Sequence, residues 1–247
     1  YNPHLGITAN PIEFVNVLNN ALKGLNTKPV ESIASDTLEA HDDYINWGDM
    51  PLEAPNSGVD LTSAFRTIRE KLEPDTIITN GAGNYAVWGH RLFRFSKVKT
   101  QLAPISGSMG YGLPAAIAAK LRFPDKMVIA LAGDGCFQMT ENELATAVQY
   151  NAGVIIFVID NEMYGTIRMH QHKNYKGKYK HTGLVNPNFA DLATAMGGKG
   201  YRVENTEDFY QTFVQATEWA NENDLPVLLH IKTGSEMVLP GKRFSSL

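Results

Sequence analysis

Between Gly133 and Gly165 the chain reads GDGCFQMTENELATAVQYNAGVIIFVIDNEMYG, an acidic glycine turn and an amide-bearing turn separated by one helical pattern and one apolar run. No other segment limits the possible folds as much. Met127–Ala132, before the first turn, has the unbroken apolar character of a parallel strand buried on both faces, and so has Val154–Ile159 before the second. Between them, Thr140 and Glu143 are spaced as a capping box that opens a helix running to about Tyr150. This order places Asp134 and Asn161 at the carboxyl ends of two parallel strands, the edge at which open α/β sheets bind ligands. Asp134 offers a carboxylate oxygen and Asn161 an amide oxygen. The irregular turn Glu162–Met163–Tyr164 can add a backbone carbonyl, with Met163 at its centre as the candidate. Such sparse, hard oxygen ligation suits Mg²⁺ when phosphate oxygens and water complete its octahedron.

From Asp60, a helix-cap residue type before the amphipathic stretch Leu61–Leu72, strand and helix signals alternate to the end. Strands are expected near Thr76–Thr79, Lys97–Gln101, Met127–Ala132, Val154–Ile159, Gly200–Val203 and Val227–Lys232. Helices are expected near Tyr85–Leu92, Leu113–Phe123, Glu141–Tyr150, Phe189–Met196 and Glu207–Asn223. Alternation of this kind predicts an α/β fold, a doubly wound parallel sheet of about six strands with helices on both faces. Asn80–Tyr85, reading NGAGNY between a strand and a helix, supplies glycines that let backbone approach a diphosphate; Gly83, Asn84 and Tyr85 are the candidate contacts. Tyr164, Gly165 and Thr166 form a second glycine-bearing turn whose backbone donors can reach the same group.

The turn Gly133–Asp134–Gly135 followed by a polar pair ending in Asn161 resembles the cofactor signature of thiamine diphosphate enzymes. The segments SGSMGYGLPAA from Ser106, ENELATA from Glu141 and MYGTIR from Met163 are similar to the acetolactate synthase and benzoylformate decarboxylase branch of that family. The similarity runs from about residue 60 to the C-terminus, and more weakly through the first 25 residues. The family usually has Asn-Asn where this chain has Asp160–Asn161, a departure at the member of the pair that is generally not a ligand. The resemblance implies that the Gly107 carbonyl accepts a hydrogen bond from the cofactor's aminopyrimidine and that Met109 wedges between the two rings. Core packing is the alternative for Met109, and it competes with ligand contact for Met139 and Met163. Cys136 stands where relatives carry a small residue whose N–H meets phosphate; a reactive thiol is the other reading.

The resemblance also implies a 2-keto acid or related acyl donor as substrate, decarboxylated or ligated to a second carbonyl. The catalytic glutamate of the family comes from an N-terminal pyrimidine-binding domain of the same or a neighbouring chain in a homo-oligomer, and no glutamate here stands in a matching motif. None is therefore assigned. Acetolactate synthases usually carry a Gln-Trp pair where this chain has Met169–His170–Gln171, which puts acetolactate formation in doubt. Arg168–Lys180, with His170, His172, Lys173, Lys176 and Lys178, reads either as a mobile loop favouring an anionic substrate or as solvated surface. Metal binding by His170 and His172 lacks a third ligand.

Residues 1–25 resemble the end of the family's middle domain: Asn10, Pro11 and Glu13 open a helix with Phe14, Val17, Leu18 and Leu22 on one face, stopped by Gly24. FAD is to be expected only in such a middle domain. Residues 26–60, acidic and containing Pro29, Pro51 and Pro55, read as a linker with one irregular helix before Trp47, and 61–247 as the cofactor-binding domain. Two alternatives stay open, a natural diphosphate-binding subunit of a two-subunit decarboxylase, against which the helix at 11–23 argues, and a non-enzymatic thiamine diphosphate-binding module. With 247 residues, 43% hydrophobic, the chain can bury one full core. A net charge of -4 with scattered Lys and Arg gives no footprint for nucleic acid. No apolar run approaches the ~20 residues of a membrane span, and the single cysteine fits a reducing cytoplasm.

Overall fold

The computed structural model describes residues 2–25 and 31–247, in two compact units, 1–47 and 48–247. In the first, α1 (Pro11–Leu22) starts where Pro11 and its cap predict: the Asn10 side chain accepts the Ile12 N–H at 2.9 Å. Its apolar residues Phe14, Val17, Leu18 and Leu22 are exposed. The expected linker is largely a regular helix, α2 (Glu31–Asp49), while residues 26–30 lie outside the described residues.

The second unit begins before the expected boundary at residue 60. Arg66 donates to the carbonyls of Gly48 and Met50 at 2.7 Å each, Arg69 pairs with Asp49 at 2.5 Å, and the Val59 N–H donates to the Lys232 carbonyl at 2.8 Å. Residues 48–60 are thus tied to the α/β unit. Asp60 caps α3 (Leu61–Arg69) as expected, accepting the Thr62 N–H. There follow β1 (Ile77–Asn80), α4 (Ala86–Leu92), β2 (Gln101–Leu102), α5 (Gly112–Arg122), β3 (Val128–Gly133), α6 (Asp134–Phe137), α7 (Glu143–Gln149) and β4 (Ile155–Asp160). The chain continues through α8 (Gly165–Tyr175), α9 (Phe189–Ala195), β5 (Lys199–Val203), α10 (Thr206–Asn223) and β6 (Val227–Lys232), and a small antiparallel pair, β7 (Met237–Leu239) and β8 (Lys242–Arg243), closes it.

Six strands form one parallel sheet in the order β2-β1-β3-β4-β6-β5, the expected doubly wound architecture. Alternate residues of each central strand feed opposite faces. Ile129 and Leu131 of β3 join Phe157 and Ile159 of β4 beneath α3, α4 and α10, whereas Val128, Ala130 and Ala132 join Ile156 and Val158 beneath α5, α7 and α9. Phe157, fully buried, packs edge-on to Phe209 and Phe213 at 5.6 and 6.0 Å between ring centres, and lies tilted 6.1 Å from Phe65. Phe157→Ala should therefore cost about 3–5 kcal/mol, read as a lower denaturant midpoint with an unchanged slope. A loss below ~1 kcal/mol would mean that this aromatic cluster collapses into the space left.

Three local expectations are corrected. The strand at Lys97–Gln101 shortens to Gln101–Leu102 because Lys99 takes φ +64°, outside the extended region. The capping box at Thr140 and Glu143 does not form. The Thr140 hydroxyl donates to the Gly110 carbonyl at 2.8 Å, the Glu143 carboxylate accepts the Thr146 hydroxyl at 2.8 Å, and α7 starts only at Glu143. Arg168–Lys180 is not one loop, since α8 carries it to Tyr175 and the residues beyond turn back, with Gln171 bonded to both backbone groups of Lys180 at 3.0 Å. Arg168 stacks on the Tyr179 ring at 4.4 Å, and His172 is hydrogen-bonded to the Tyr179 hydroxyl.

Candidate functional site

Strand order changes direction between β1 and β3, since β1 is followed by β2 on one side and β3 lies on the other. A crevice outside the carboxyl ends of the strands at such a point is the ligand site of open α/β sheets. Here it is a cavity of about 240 Å³. Its walls are the turn after β1 (Ala82, Gly83, Asn84, Tyr85), the loop before α5 (Gly107, Met109), the turn after β3 (Gly133, Asp134, Gly135, Cys136), Ile159 of β4, and the turn from β4 into α8 (Asn161, Met163, Tyr164, Gly165, Thr166, Ile167). All thirteen residues expected at a cofactor site from the sequence line this one cavity. Met139, left open between core and ligand contact, is half exposed and does not line it.

The backbone explains two of the glycines. Gly107 takes φ +70°, a left-handed conformation that favours glycine. A Cβ on Gly135 would run into the Tyr164 ring, so only glycine lets the two turns close on each other. On the other wall, the Asn84 N–H donates to the Thr166 hydroxyl at 3.0 Å, and that hydroxyl donates to Asn84 Oδ1 at 2.9 Å. This pair ties the turn after β1 to the start of α8. The Tyr85 hydroxyl donates to the Cys136 sulfur at 3.2 Å, and the Gly110 N–H approaches that sulfur at 3.1 Å. Burial pushes the Tyr85 phenol well above its ordinary range, so it stays neutral. Cys136 is buried with its thiol in this bonded wall, the environment of a packed small residue more than of a reactive thiol.

Asp134 is 3% exposed. Its Oδ1 accepts the Gly135 N–H and its Oδ2 an Asn186 amide hydrogen, both at 2.8 Å. Burial pushes its carboxyl up to about 6, reinforced by the negative charge of Asp160 and opposed by the Gly135 and Asn186 hydrogen bonds. Asp160, 1% exposed, is treated oppositely. Burial opposes its ionisation, but hydrogen bonds from His230, Lys232 and Asn186 outweigh it and hold the carboxyl well below the usual range. Its Oδ2 meets His230 Nε2 at 2.7 Å and Lys232 Nζ at 3.0 Å, and its Oδ1 accepts the Glu162 N–H at 3.0 Å and Asn186 at 2.8 Å. Four donors occupy Asp160, so it anchors the strand end and is not available as a ligand. The cationic partner, Lys232, stands on Asp160, which leaves Asp134 without one.

A divalent cation would fill that charge deficit. The side chain of Asn161 makes no hydrogen bond with a described residue, and its amide nitrogen lies toward Gly165, where a Cβ would come within 3.4 Å of it. The Met163 carbonyl already accepts the Gly165 N–H at 2.9 Å, which leaves its second lone pair for a metal. Glu162 takes φ +58°, the irregularity that turns this carbonyl. One carboxylate, one amide and one carbonyl, all hard oxygen, fit Mg²⁺ sharing a diphosphate. No cluster of three His, Cys, Asp or Glu able to hold a metal exists among the described residues, His170 and His172 included. The N-terminus of α8 opens into the cavity at Gly165, Thr166 and Ile167, the end of a helix that favours an anion.

A family model described as "Thiamine pyrophosphate enzyme, C-terminal TPP binding domain" matches residues 81–231, more than half of the chain. The chain belongs to the thiamine diphosphate enzyme family. Within this thiamine diphosphate-binding domain, 167 residues are 39% identical to the mitochondrial acetolactate synthase catalytic subunit of Aspergillus candidus, over 67% of this chain and 24% of that protein. The acetolactate synthase large subunit of Corynebacterium glutamicum is 36% identical over 178 residues, 70% of this chain and 28% of the relative. That of Porphyra purpurea is 33% identical over 253 residues, 97% of this chain and 41% of the relative. The chain thus spans 24% to 41% of the length of these curated relatives. Among solved structures, the 4-hydroxybenzoylformate decarboxylase of Rhodococcus jostii superposes with a TM-score of 0.68 at 28% identity, over 75% of this chain and 34% of that one. The benzoylformate decarboxylase of Polynucleobacter necessarius shares the fold, with a TM-score of 0.64 at 20% identity over 70% of this chain and 33% of that one. No described helix of the domain is long and apolar enough to cross a membrane.

The sequence did not point to Asn186, His230 or Lys232. Each reaches the site from a distant segment, Asn186 from 52 residues beyond Asp134, and no local spacing marks such a contact. A signal did exist at Lys232 and His230, because charge and imidazole in the strand VLLHIK need a buried partner.

Proposed function

We propose that this domain holds Mg²⁺ and the diphosphate of thiamine diphosphate in an enzyme that decarboxylates a 2-keto acid or ligates the resulting acyl unit to a second carbonyl. The observation that carries the reading is the convergence of Asp134, Asn161, Met163 and the α8 N-terminus on one cavity at the switch point of the sheet. When bound, thiamine diphosphate supplies the nucleophilic carbon that adds to a carbonyl and the electron sink left after loss of carbon dioxide. Asp134 and Asn161 hold the metal with the Met163 carbonyl. Gly165 and Thr166 present the α8 N-terminus to the diphosphate, while Tyr85 and Cys136 form a bonded wall that keeps water from that side. Gly107 would offer its carbonyl to the aminopyrimidine, and Met109, partly buried against the core, would place the cofactor rings by packing against them. The wall facing the pyrimidine comes from a partner domain of the same or a neighbouring chain, as in a homo-oligomer.

Carbon dioxide release from a panel of 2-keto acids by the protein carrying this chain, with thiamine diphosphate and Mg²⁺ present, tests the proposal. Release from none of them, with no binding of the cofactor, would reject it. Met109→Ala should leave cofactor affinity within about threefold while slowing proton exchange at the thiazolium carbon by about 10²-fold, since ring placement matters to the reaction more than to anchoring. Exchange at the parent rate would return Met109 to the core.

A further inference from the structure

Resting on the reading of Asp134 as a metal ligand, we infer that Asn186 is the positioning residue that locks the Asp134 carboxylate for the metal by bracing it against Asp160. The two carboxylates sit at the ends of adjacent strands β3 and β4, are 3% and 1% exposed, and carry charge of the same sign. Left to themselves they repel. Asn186 Nδ2 lies 2.8 Å from Asp134 Oδ2 and 2.8 Å from Asp160 Oδ1, so its two amide hydrogens serve one carboxylate each. The orientation of the amide is fixed from its other end, where Oδ1 accepts Gln138 Nε2 at 2.9 Å. A flipped amide would turn its oxygen toward two carboxylates and a nitrogen toward another donor.

Asp160 cannot yield, because His230, Lys232 and the Glu162 N–H hold its remaining positions. The bridge therefore passes the rigidity of that buried set to Asp134. With Oδ1 held by the Gly135 N–H, the Asp134 carboxylate is bonded at both oxygens, and each oxygen keeps a lone pair. The loop that carries Asn186 is itself registered on the metal turn. The Tyr164 N–H donates to the Thr182 carbonyl at 2.9 Å and the Leu184 N–H to the Glu162 carbonyl at 2.8 Å, while Asn188, two residues on, caps α9 through the Ala190 N–H. Asn186 thus moves with the turn that presents Asn161 and Met163. Outer partners of metal ligands typically carry 10–100-fold in metal affinity.

The test is Mn²⁺ binding, followed by electron paramagnetic resonance in the protein that carries this chain, at fixed thiamine diphosphate. Asn186→Ala should weaken Mn²⁺ by about 10–100-fold and broaden the spectrum of the bound ion, in protein shown by circular dichroism to be folded at the assay temperature. Asn186→Leu, which refills the space without donating, should bind Mn²⁺ as poorly as the alanine variant. Asp134→Ala, measured alongside, separates the bridge from the metal site on which it rests. Parent-like Mn²⁺ affinity in Asn186→Ala, with affinity lost in Asp134→Ala, would overturn the bridge and leave the metal site standing. Recovery in Asn186→Leu would overturn it in favour of simple packing. Parent-like affinity in Asp134→Ala would remove the metal reading itself and the bridge with it.

Discussion

Supplied with thiamine diphosphate and Mg²⁺, the isolated 247-residue chain should release no carbon dioxide from pyruvate, benzoylformate or oxalyl donors. Among the described residues, the titratable ones lining the cavity are Tyr85, Asp134, Cys136 and Tyr164. In the proposed reading Asp134 holds the metal, and Tyr85 is a buried phenol bonded to a thiol. No glutamate among the described residues lines the cavity. Glu162, beside the metal turn, is exposed and pairs with Lys232 at 2.7 Å, and Glu143 is bonded to Thr146. Positioned proton transfer alone contributes about 10²–10⁴-fold, and a cofactor with one side in water also loses the orientation on which its chemistry depends. Binding should survive at reduced affinity, because the proposed metal ligands and the α8 N-terminus all belong to this chain. Turnover at about 1–10³ per second would contradict the reading that the proton-transfer group and the wall facing the pyrimidine come from a partner domain. Glu141, one carboxylate oxygen of which is buried without a hydrogen bond, would then be the first group to test.

The parallel sheet is legible in the sequence because its strands are continuous apolar runs, and VIALAG and IIFVID are the composition that burial on both faces of a sheet requires. The cavity is legible because glycine turns, a carboxylate and an amide follow those runs directly, so position along the chain fixes position at the edge. Helices without an apolar stripe are harder to see. Helix α2 buries only Gly48, and α8 only Met169, so neither shows the 3.6-residue period, and the Gly165–Thr166 opening and basic residues of α8 carry the signals of a loop. The capping box fails for a tertiary reason, since the Gly110 carbonyl takes the Thr140 hydroxyl that would have capped α7. Asp160 in place of the family's Asn is a minor departure when only the sequence is considered. In the fold it is an anion matched to His230 and Lys232, which stand two residues apart on the neighbouring strand β6. An asparagine, with one acceptor oxygen, could not receive all four of its donors.

Asp134→Ala should abolish metal-dependent binding of thiamine diphosphate. The substitution removes the one anionic ligand and leaves Asn161 and the Met163 carbonyl, two neutral oxygens, to hold a divalent ion against water. The loss should exceed the roughly 10–100-fold carried by outer partners such as Asn186. The diphosphate would then face only backbone donors and the α8 N-terminus, whose favourable field falls off within a turn of the helix. The fold should tolerate the change, because in the metal-free protein Asp134 is a buried carboxyl pushed up to about 6 that lies beside a second carboxylate, and its removal relieves that repulsion. Calorimetric titration of thiamine diphosphate into the parent protein and the Asp134→Ala variant, each with excess Mg²⁺ and again with EDTA, tests the metal assignment most directly. EDTA should weaken binding to the parent strongly, and the variant should bind weakly and equally in both conditions; parent-like affinity in the variant that EDTA still removes would contradict the assignment.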